Sequence, residues 1–216
     1  SQVGKEIVKN SAENLTKLSL ELGGKAPNIV FDDANLASCI EANLRGGFFN
    51  QGENCTAVTR LFVHKKIFNK FLKLYIKSIA EINQDLPEST NSQMGSLISK
   101  DHFKKVGRCV KKSLNQGGRL LYQGTVKSHL KGHYYPPTLI EITDTDNILF
   151  NDEVFGPVVA IMKFENEEEV VSMANNTNYG LAGGVWTQDI SRAFRVSSMI
   201  DAGYLWVNTY GGIIPE

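Results

Sequence analysis

Cys55 is the residue of this sequence best placed for nucleophilic chemistry. It follows Phe48-Phe49-Asn50-Gln51-Gly52-Glu53-Asn54, a polar, glycine-containing stretch between a helical pattern and an apolar strand pattern that begins at Val58. A cysteine in such a loop can be accessible and partly ionised, as thiolate attack requires. Cys39 and Cys109 differ, because both fall on or beside the apolar face of a predicted helix, where cysteine packs as a small hydrophobe. Glu21 closes an apolar strand pattern over residues 17–22, immediately before Gly23-Gly24-Lys25. Open α/β sheets place catalytic groups at strand ends that face a crevice. Burial there would raise the pKa of a carboxyl group and make it a usable base near neutral pH. Taken singly, Cys55 also reads as an ordinary loop cysteine and Glu21 as a satisfied strand-end charge.

Other chemistries find less support. His129 and His133 have a spacing that could span a metal, but their loop is rich in Lys and Gly and offers no suitably spaced Cys or acid, so no metal site is expected. The chain has no GxSxG elbow, no Walker A loop and no GxGxxG, so a complete nucleotide site is not encoded in it. Lys plus Arg number 23 and Asp plus Glu number 23, which leaves no net field to draw the chain to nucleic acid or an anionic membrane. Three cysteines without a CxxC suit a reducing compartment, with the cytoplasm as the expected location and an organelle matrix as the alternative.

The elements that must position Cys55 and Glu21 follow from periodicity. Short apolar runs over residues 17–22, 27–31, 58–64, 138–142, 158–164, 183–186 and 205–208 read as strands. Several are continuous rather than alternating, as expected when both sheet faces are covered. Between them lie helical stripes: Leu36, Cys39, Ile40, Leu44 and Phe48; then Ile67, Phe71, Tyr75 and Ile79; then a helix capped by Ser99. Asn166 with Glu169 suggests a capping box for a fourth, and Asp189 opens a fifth. A further helix covers residues 2–11. The 216 residues can bury a sizeable core. This alternation predicts an α/β fold, a doubly wound, mostly parallel sheet with helices on both faces.

Five motifs in order give the chain a family resemblance: Leu20-Glu21-Leu22-Gly23-Gly24-Lys25, Phe49 to Cys55, Glu153-Val154-Phe155-Gly156-Pro157-Val158, Asn178-Tyr179-Gly180-Leu181-Ala182 and Trp206-Val207-Asn208. Together they resemble the aldehyde dehydrogenase superfamily, of the NAD(P)-dependent, hydrolytic type, over the whole length. The resemblance implies that Cys55 attacks the aldehyde carbonyl and that Glu21 activates the water that hydrolyses the resulting thioester. It implies that Glu153 binds the nicotinamide ribose of NAD or NADP, that Phe155 packs on the nicotinamide end and that Leu22 lines that site. Ser1 and Gly4 resemble the end of a phosphate-facing segment at a helix N-terminus. Phe49, Asn54, Thr56 and Ile213 are expected to line the aldehyde channel, and the last residues from Trp206 onward resemble members acting on betaine-type or aminoaldehydes.

The resemblance also implies what lies outside this segment. Residues 1–22 would be the tail end of a cofactor-binding domain and residues 23–216 a catalytic domain that lacks the family's C-terminal oligomerisation strand. The segment alone is then expected to be inactive, and the parent to be a dimer or tetramer. A branch that passes the acyl group to CoA is the nearest alternative, and Glu21 argues against it. A module that kept the fold for docking without turnover is the other.

Overall fold

The computed structural model describes residues 2–211; Ser1 and residues 212–216, including Ile213, lie outside the described residues. The chain runs α1 (Gln2–Ser11), β1 (Ala26–Val30), α2 (Leu36–Phe48), a tight turn over Phe49–Gly52, β2 (Val58–His64), α3 (Phe68–Ala80), α4 (Lys100–Asn115) and β3 (Arg119–Gln123). It continues through β4 (Thr138–Glu141), α5 (Ile148–Asn151), β5 (Val158–Phe164), α6 (Glu167–Asn175), β6 (Ala182–Trp186), α7 (Ile190–Met199) and β7 (Tyr204–Val207). The strands form one sheet in the order β3-β4-β5-β2-β1-β6-β7. Every pairing is parallel except that of edge strand β3 with β4.

Helices cover both faces, and side-chain alternation assigns each its partner strands. Ile29 and Phe62 point to one face, where Val106 and Val110 of α4, Phe150 of α5, Val170 of α6 and Val196 of α7 pack. Val30, Leu61 and Val63 point to the other, against Cys39, Ile40 and Phe48 of α2 and Phe71, Tyr75 and Ile79 of α3. All seven residues of β2 are buried, Thr59, Arg60 and His64 among them, as expected of a strand covered on both faces. Each large apolar side chain removed from water there contributes about 1.5–3 kcal/mol. The helix starts are capped as their sequences suggest. Asn35 accepts from the N–H groups of Ala37 and Ser38, Ser99 from His102, Asn166 from Glu169 and Asp189 from Ser191 and Arg192.

Residues 17–22 do not form the expected strand. Leu18, Leu20 and Leu22 are half-buried and Ser19 and Glu21 exposed, which is the alternation of a strand without a partner. The reason lies in the sheet. Strand β1 takes only residues from Ala26 onward, and its two flanks are already filled by β2 and β6. The antiparallel β3 and the four-residue α5, conversely, are elements that the apolar pattern does not announce.

A polar tie fixes the helix that leads to Cys55. Trp186 Nε1 donates to Asn28 Oδ1 (3.0 Å), Asn28 Nδ2 donates to Asn43 Oδ1 (2.7 Å), and the Tyr75 hydroxyl donates to the Asn43 carbonyl (3.2 Å). Asn28 and Asn43 are fully buried, so removing one partner would strand an amide at a cost of about 1–3 kcal/mol. Helix α2 is thereby registered on β1.

Candidate active site

Three loops meet at one edge of the sheet. Residues 21–25, 54–56 and 153–157 precede β1, β2 and β5, which are neighbours and parallel, so the loops emerge side by side. This is the amino-terminal edge of the strands. The expectation that Glu21 closes a strand is corrected accordingly: Glu21 lies on the approach to β1, in a segment with no ladder. It is also exposed rather than buried.

The loop before Cys55 is tightly wound. Asn50, Gln51 and Gly52 all have left-handed backbone, with φ of 50°, 47° and 73°. Asn tolerates that conformation and Gly adopts it freely, whereas Gln51 is held there at a cost of about 1–3 kcal/mol. What holds it is local bonding. Asn50 Nδ2 donates to the Glu53 carbonyl (2.8 Å), Gln51 Nε2 donates to Glu53 Oε2 (3.1 Å), and the Ile98 N–H donates to Glu53 Oε1 (3.1 Å). A Cβ on Gly52 would stand 2.2 Å from the Gly156 carbonyl oxygen, so this glycine lets the cysteine loop lie against the loop before β5.

Gly23 and Gly24 serve close approach in the same way. The Gly24 N–H donates to Glu153 Oε1 (2.9 Å). A Cβ on Gly23 would stand 2.3 Å from Glu153 Oε2, and one on Gly24 would stand 2.2 Å from the Cys55 carbonyl oxygen. The pair thus lets the glutamate, cysteine and Glu153 segments touch without intervening side chains.

Two openings flank Cys55. A groove of about 600 Å³ is lined by Glu21, Leu22, Gly23, Cys55, Glu153 and Phe155, together with Val3, His102 and Lys105. A second pocket of about 420 Å³ is lined by Phe49, Asn54, Thr56, Arg45, Gly46, Tyr210 and Gly211. The residues expected around cofactor and substrate therefore separate into two groups: Cys55 lines the first opening, and its neighbours Asn54 and Thr56 line the second. Gly4 is buried in the first turn of α1 and its neighbour Val3, not Gly4 itself, lines the groove. The contacts expected of Ser1 and Ile213 fall outside the described residues.

Cys55 is half-buried, and among the described residues its backbone N–H has no partner. Asn54 Oδ1 accepts from the Thr56 N–H (3.1 Å) and hydroxyl (3.2 Å) and lies 3.8 Å from the Cys55 sulfur. The Tyr210 hydroxyl donates to the Thr56 carbonyl (2.8 Å). Burial drives the Cys39 thiol well above its ordinary pKa and raises that of Cys109. Behind Glu153, burial and then the Arg60 charge lower the Lys25 ammonium to about 7, against the pull of Glu153 and Asp152. Arg60 itself is spent on three backbone carbonyls, of Lys25, Met173 and Ala174.

Four lining residues lack an obvious sequence signal. His102 and Lys105 stand one turn apart on α4 and read from sequence only as the polar face of a capped helix; Arg45 and Gly46 read as the end of α2. No group of three or more His, Cys, Asp or Glu residues among the described residues could hold a metal ion. Likewise, no helix among them is long and apolar enough to cross a membrane.

Comparison with known proteins accords with this arrangement. The model of the aldehyde dehydrogenase family matches residues 1–215. A 2-aminomuconic semialdehyde dehydrogenase of Bos taurus is 39% identical over 210 residues, which are 94% of this chain and 43% of that protein. A 4-trimethylaminobutyraldehyde dehydrogenase of Oryzias latipes is 40% identical over 212 residues, 96% of this chain and 42% of that protein. Among solved structures, a betaine aldehyde dehydrogenase of Staphylococcus aureus in complex with NAD+ superposes with a TM-score of 0.91 at 35% identity, covering 99% of this chain and 43% of that one. The chain thus spans somewhat under half the length of the relatives it matches. With a matching family model, matching folds and a shared order of motifs, the chain belongs to the aldehyde dehydrogenase family.

Proposed function

We propose that Cys55 and Glu21 oxidise an aldehyde to its carboxylic acid, with NAD or NADP as hydride acceptor. The observation that carries this reading is that Cys55 lines one groove with Glu21, Glu153 and Phe155, while its neighbours Asn54 and Thr56 line a second pocket with Phe49. The Cys55 thiolate adds to the carbonyl carbon and forms a C–S bond. The oxygen that gains the charge meets the Cys55 backbone N–H, which has no competing partner among the described residues. NAD or NADP, when bound, would supply the hydride acceptor for this oxidation, which leaves the acyl group as a thioester on Cys55. Glu21 then takes a proton from water, the water oxygen adds to the thioester, and the C–S bond breaks to release the acid and return the thiolate.

The groove suits the ribose end of such a dinucleotide. Glu153 is a fixed acceptor for ribose hydroxyls, because the Gly24 N–H holds one carboxylate oxygen and leaves the other. Phe155 and Leu22 offer apolar surface beside it. The groove does not contain enough of this chain to grip a whole dinucleotide. We infer that residues 1–22 belong with a cofactor-binding unit supplied by the rest of the whole protein. The exposed Val3, Ile7, Val8 and Leu15, and the ladderless segment over 17–22, support this. The segment by itself is then inactive.

The test is Glu21→Gln in the whole protein. Steady-state turnover should fall by about a hundredfold or more, and an acyl group should accumulate on the Cys55 peptide but not on those of Cys39 or Cys109. Unchanged turnover, or an acyl group on another cysteine, would overturn the assignment.

A further inference from the structure

We propose that Arg45 makes this enzyme selective for aldehydes that carry a carboxylate at the end remote from the reacting carbon. The proposal rests on the reading of Cys55 as the aldehyde-attacking thiol and adds the substrate class to it.

Arg45 is the one charged side chain among the described residues that line the pocket on the Asn54–Thr56 side of Cys55. The remaining walls are Phe49 and Tyr210, the polar Asn54 and Thr56, and the backbone of Gly46 and Gly211. A short acyl chain placed there would have its aldehyde at the Cys55 end and its tail beside a guanidinium. Among the described residues Arg45 forms no ion pair, and its one hydrogen bond runs from Nη2 to the Tyr210 carbonyl (2.8 Å). Guanidinium has five N–H donors in a planar fork suited to carboxylate, so most of them stay available.

The guanidinium is also held in place, which a cation merely complementing a helix end does not require. A residue in the last turn of α2 favours the helix dipole wherever its side chain points. Here the Tyr210 carbonyl draws Arg45 over the pocket, and that carbonyl is itself fixed. Tyr210 is buried, its ring lies 4.6 Å from that of Trp206, and its hydroxyl bonds to the carbonyl of Thr56, the residue after Cys55. The nucleophile and the cation are therefore connected by one rigid path of side chain and backbone. A Cβ on Gly211 would stand 3.4 Å from Arg45 Nη2, an ordinary contact, so it is the φ of 82° rather than lack of space that suits glycine there. A tail bearing a trimethylammonium group would meet like charge in this pocket. The geometry thus disfavours the betaine-type aldehydes that the last residues of the sequence suggest.

The experiment compares three four-carbon aldehydes in the whole protein: succinic semialdehyde, butanal and 4-trimethylammoniobutanal, followed by nicotinamide reduction at low salt. We expect kcat/KM to fall in that order, the carboxylate leading butanal by at least about tenfold, a preference that added salt erodes because Arg45 is exposed and its charge is screened. Arg45→Gln keeps an N–H for the Tyr210 carbonyl and removes the charge. It should raise KM for succinic semialdehyde and bring the three substrates together, and Arg45→Lys should retain part of the preference. A wild-type enzyme that treats the first two alike, or prefers the cation, overturns the proposal. So does a preference that survives Arg45→Gln. Failure to oxidise any of the three, with no acyl group on Cys55, would overturn the aldehyde-oxidation reading itself and this inference with it.

Discussion

His102 Nε2 lies 2.5 Å from the backbone oxygen of Phe155 and 3.5 Å from Glu53 Oε1. A carbonyl oxygen can only accept, so Nε2 carries the proton and shares it between the loop before β5 and the loop before Cys55. Phe155 sits at a φ of 60°, a left-handed conformation unfavourable for an aromatic residue. The imidazole of α4 is thus the clamp that holds Phe155 in that conformation, while Glu53 anchors the same imidazole to the cysteine loop.

His102→Ala in the whole protein should therefore raise KM for the nicotinamide cofactor by about tenfold, the weight of one good hydrogen bond and the relaxed backbone behind it. Because His102 touches neither reacting atom, kcat should fall much less than kcat/KM for cofactor. His102→Gln, which keeps an N–H donor, should recover most of the loss. A cofactor titration of the three enzymes decides it, and a fall in kcat alone would remove His102 from this role.

Gly24→Ala should abolish turnover, because its Cβ would meet the Cys55 carbonyl oxygen at 2.2 Å, and neither backbone can yield without moving the nucleophile. Overpacking of this kind costs about 1–3 kcal/mol of stability. Gly107→Ala is the control. Its Cβ would find nothing nearer than 3.9 Å, and in the middle of α4 alanine should stabilise by about 0.5–1 kcal/mol. Urea titrations and turnover of both variants test the contrast.

Lys25 gives stability a pH dependence of predictable sign. Its pKa falls from 10.5 in the unfolded chain to about 7 in the folded one, chiefly through burial. Between those values the unfolded chain binds a proton that the folded chain does not, so stability rises as pH rises through this window and is lowest below about 7. The contribution is on the order of 2 kcal/mol between pH 7 and 9. Lys25→Met should remove that part of the slope, as read from urea midpoints across this range. An identical slope in the variant would show that other groups set it.

The sheet and most helices were legible because burial on both faces leaves short, mostly apolar runs. The spans expected at 58–64 and 158–164 coincide with β2 and β5. Residues 17–22 misled because alternation reports exposure and not pairing: a segment can keep a strand's pattern while its ladder partner is missing. Strand β3 escaped notice for the converse reason, since Arg119, Leu120 and Gln123 are exposed at an edge and carry little pattern. Cys55, Glu21, Leu22, Glu153 and Phe155 are brought to one groove as expected, because each belongs to a motif whose glycines mark close backbone approach. His102 and Arg45 carry no such mark. Their importance comes from where α4 and α2 end relative to loops far away in the chain.

The hydrogen bond from Gly24 to Glu153 spans 129 positions of sequence. Contacts of such separation form late, since the entropy of closing the intervening loop is lost before the contact can reward it. A chain emerging during synthesis therefore carries the Cys55 thiol long before Glu153 can reach the glycine pair. The groove is complete only when β5 docks beside β2 and brings Glu153 to the glycine pair. On the proposed function, partly folded copies of the whole protein would be inactive toward aldehydes, and recovery of activity during refolding would report the docking of β5 rather than the collapse that precedes it.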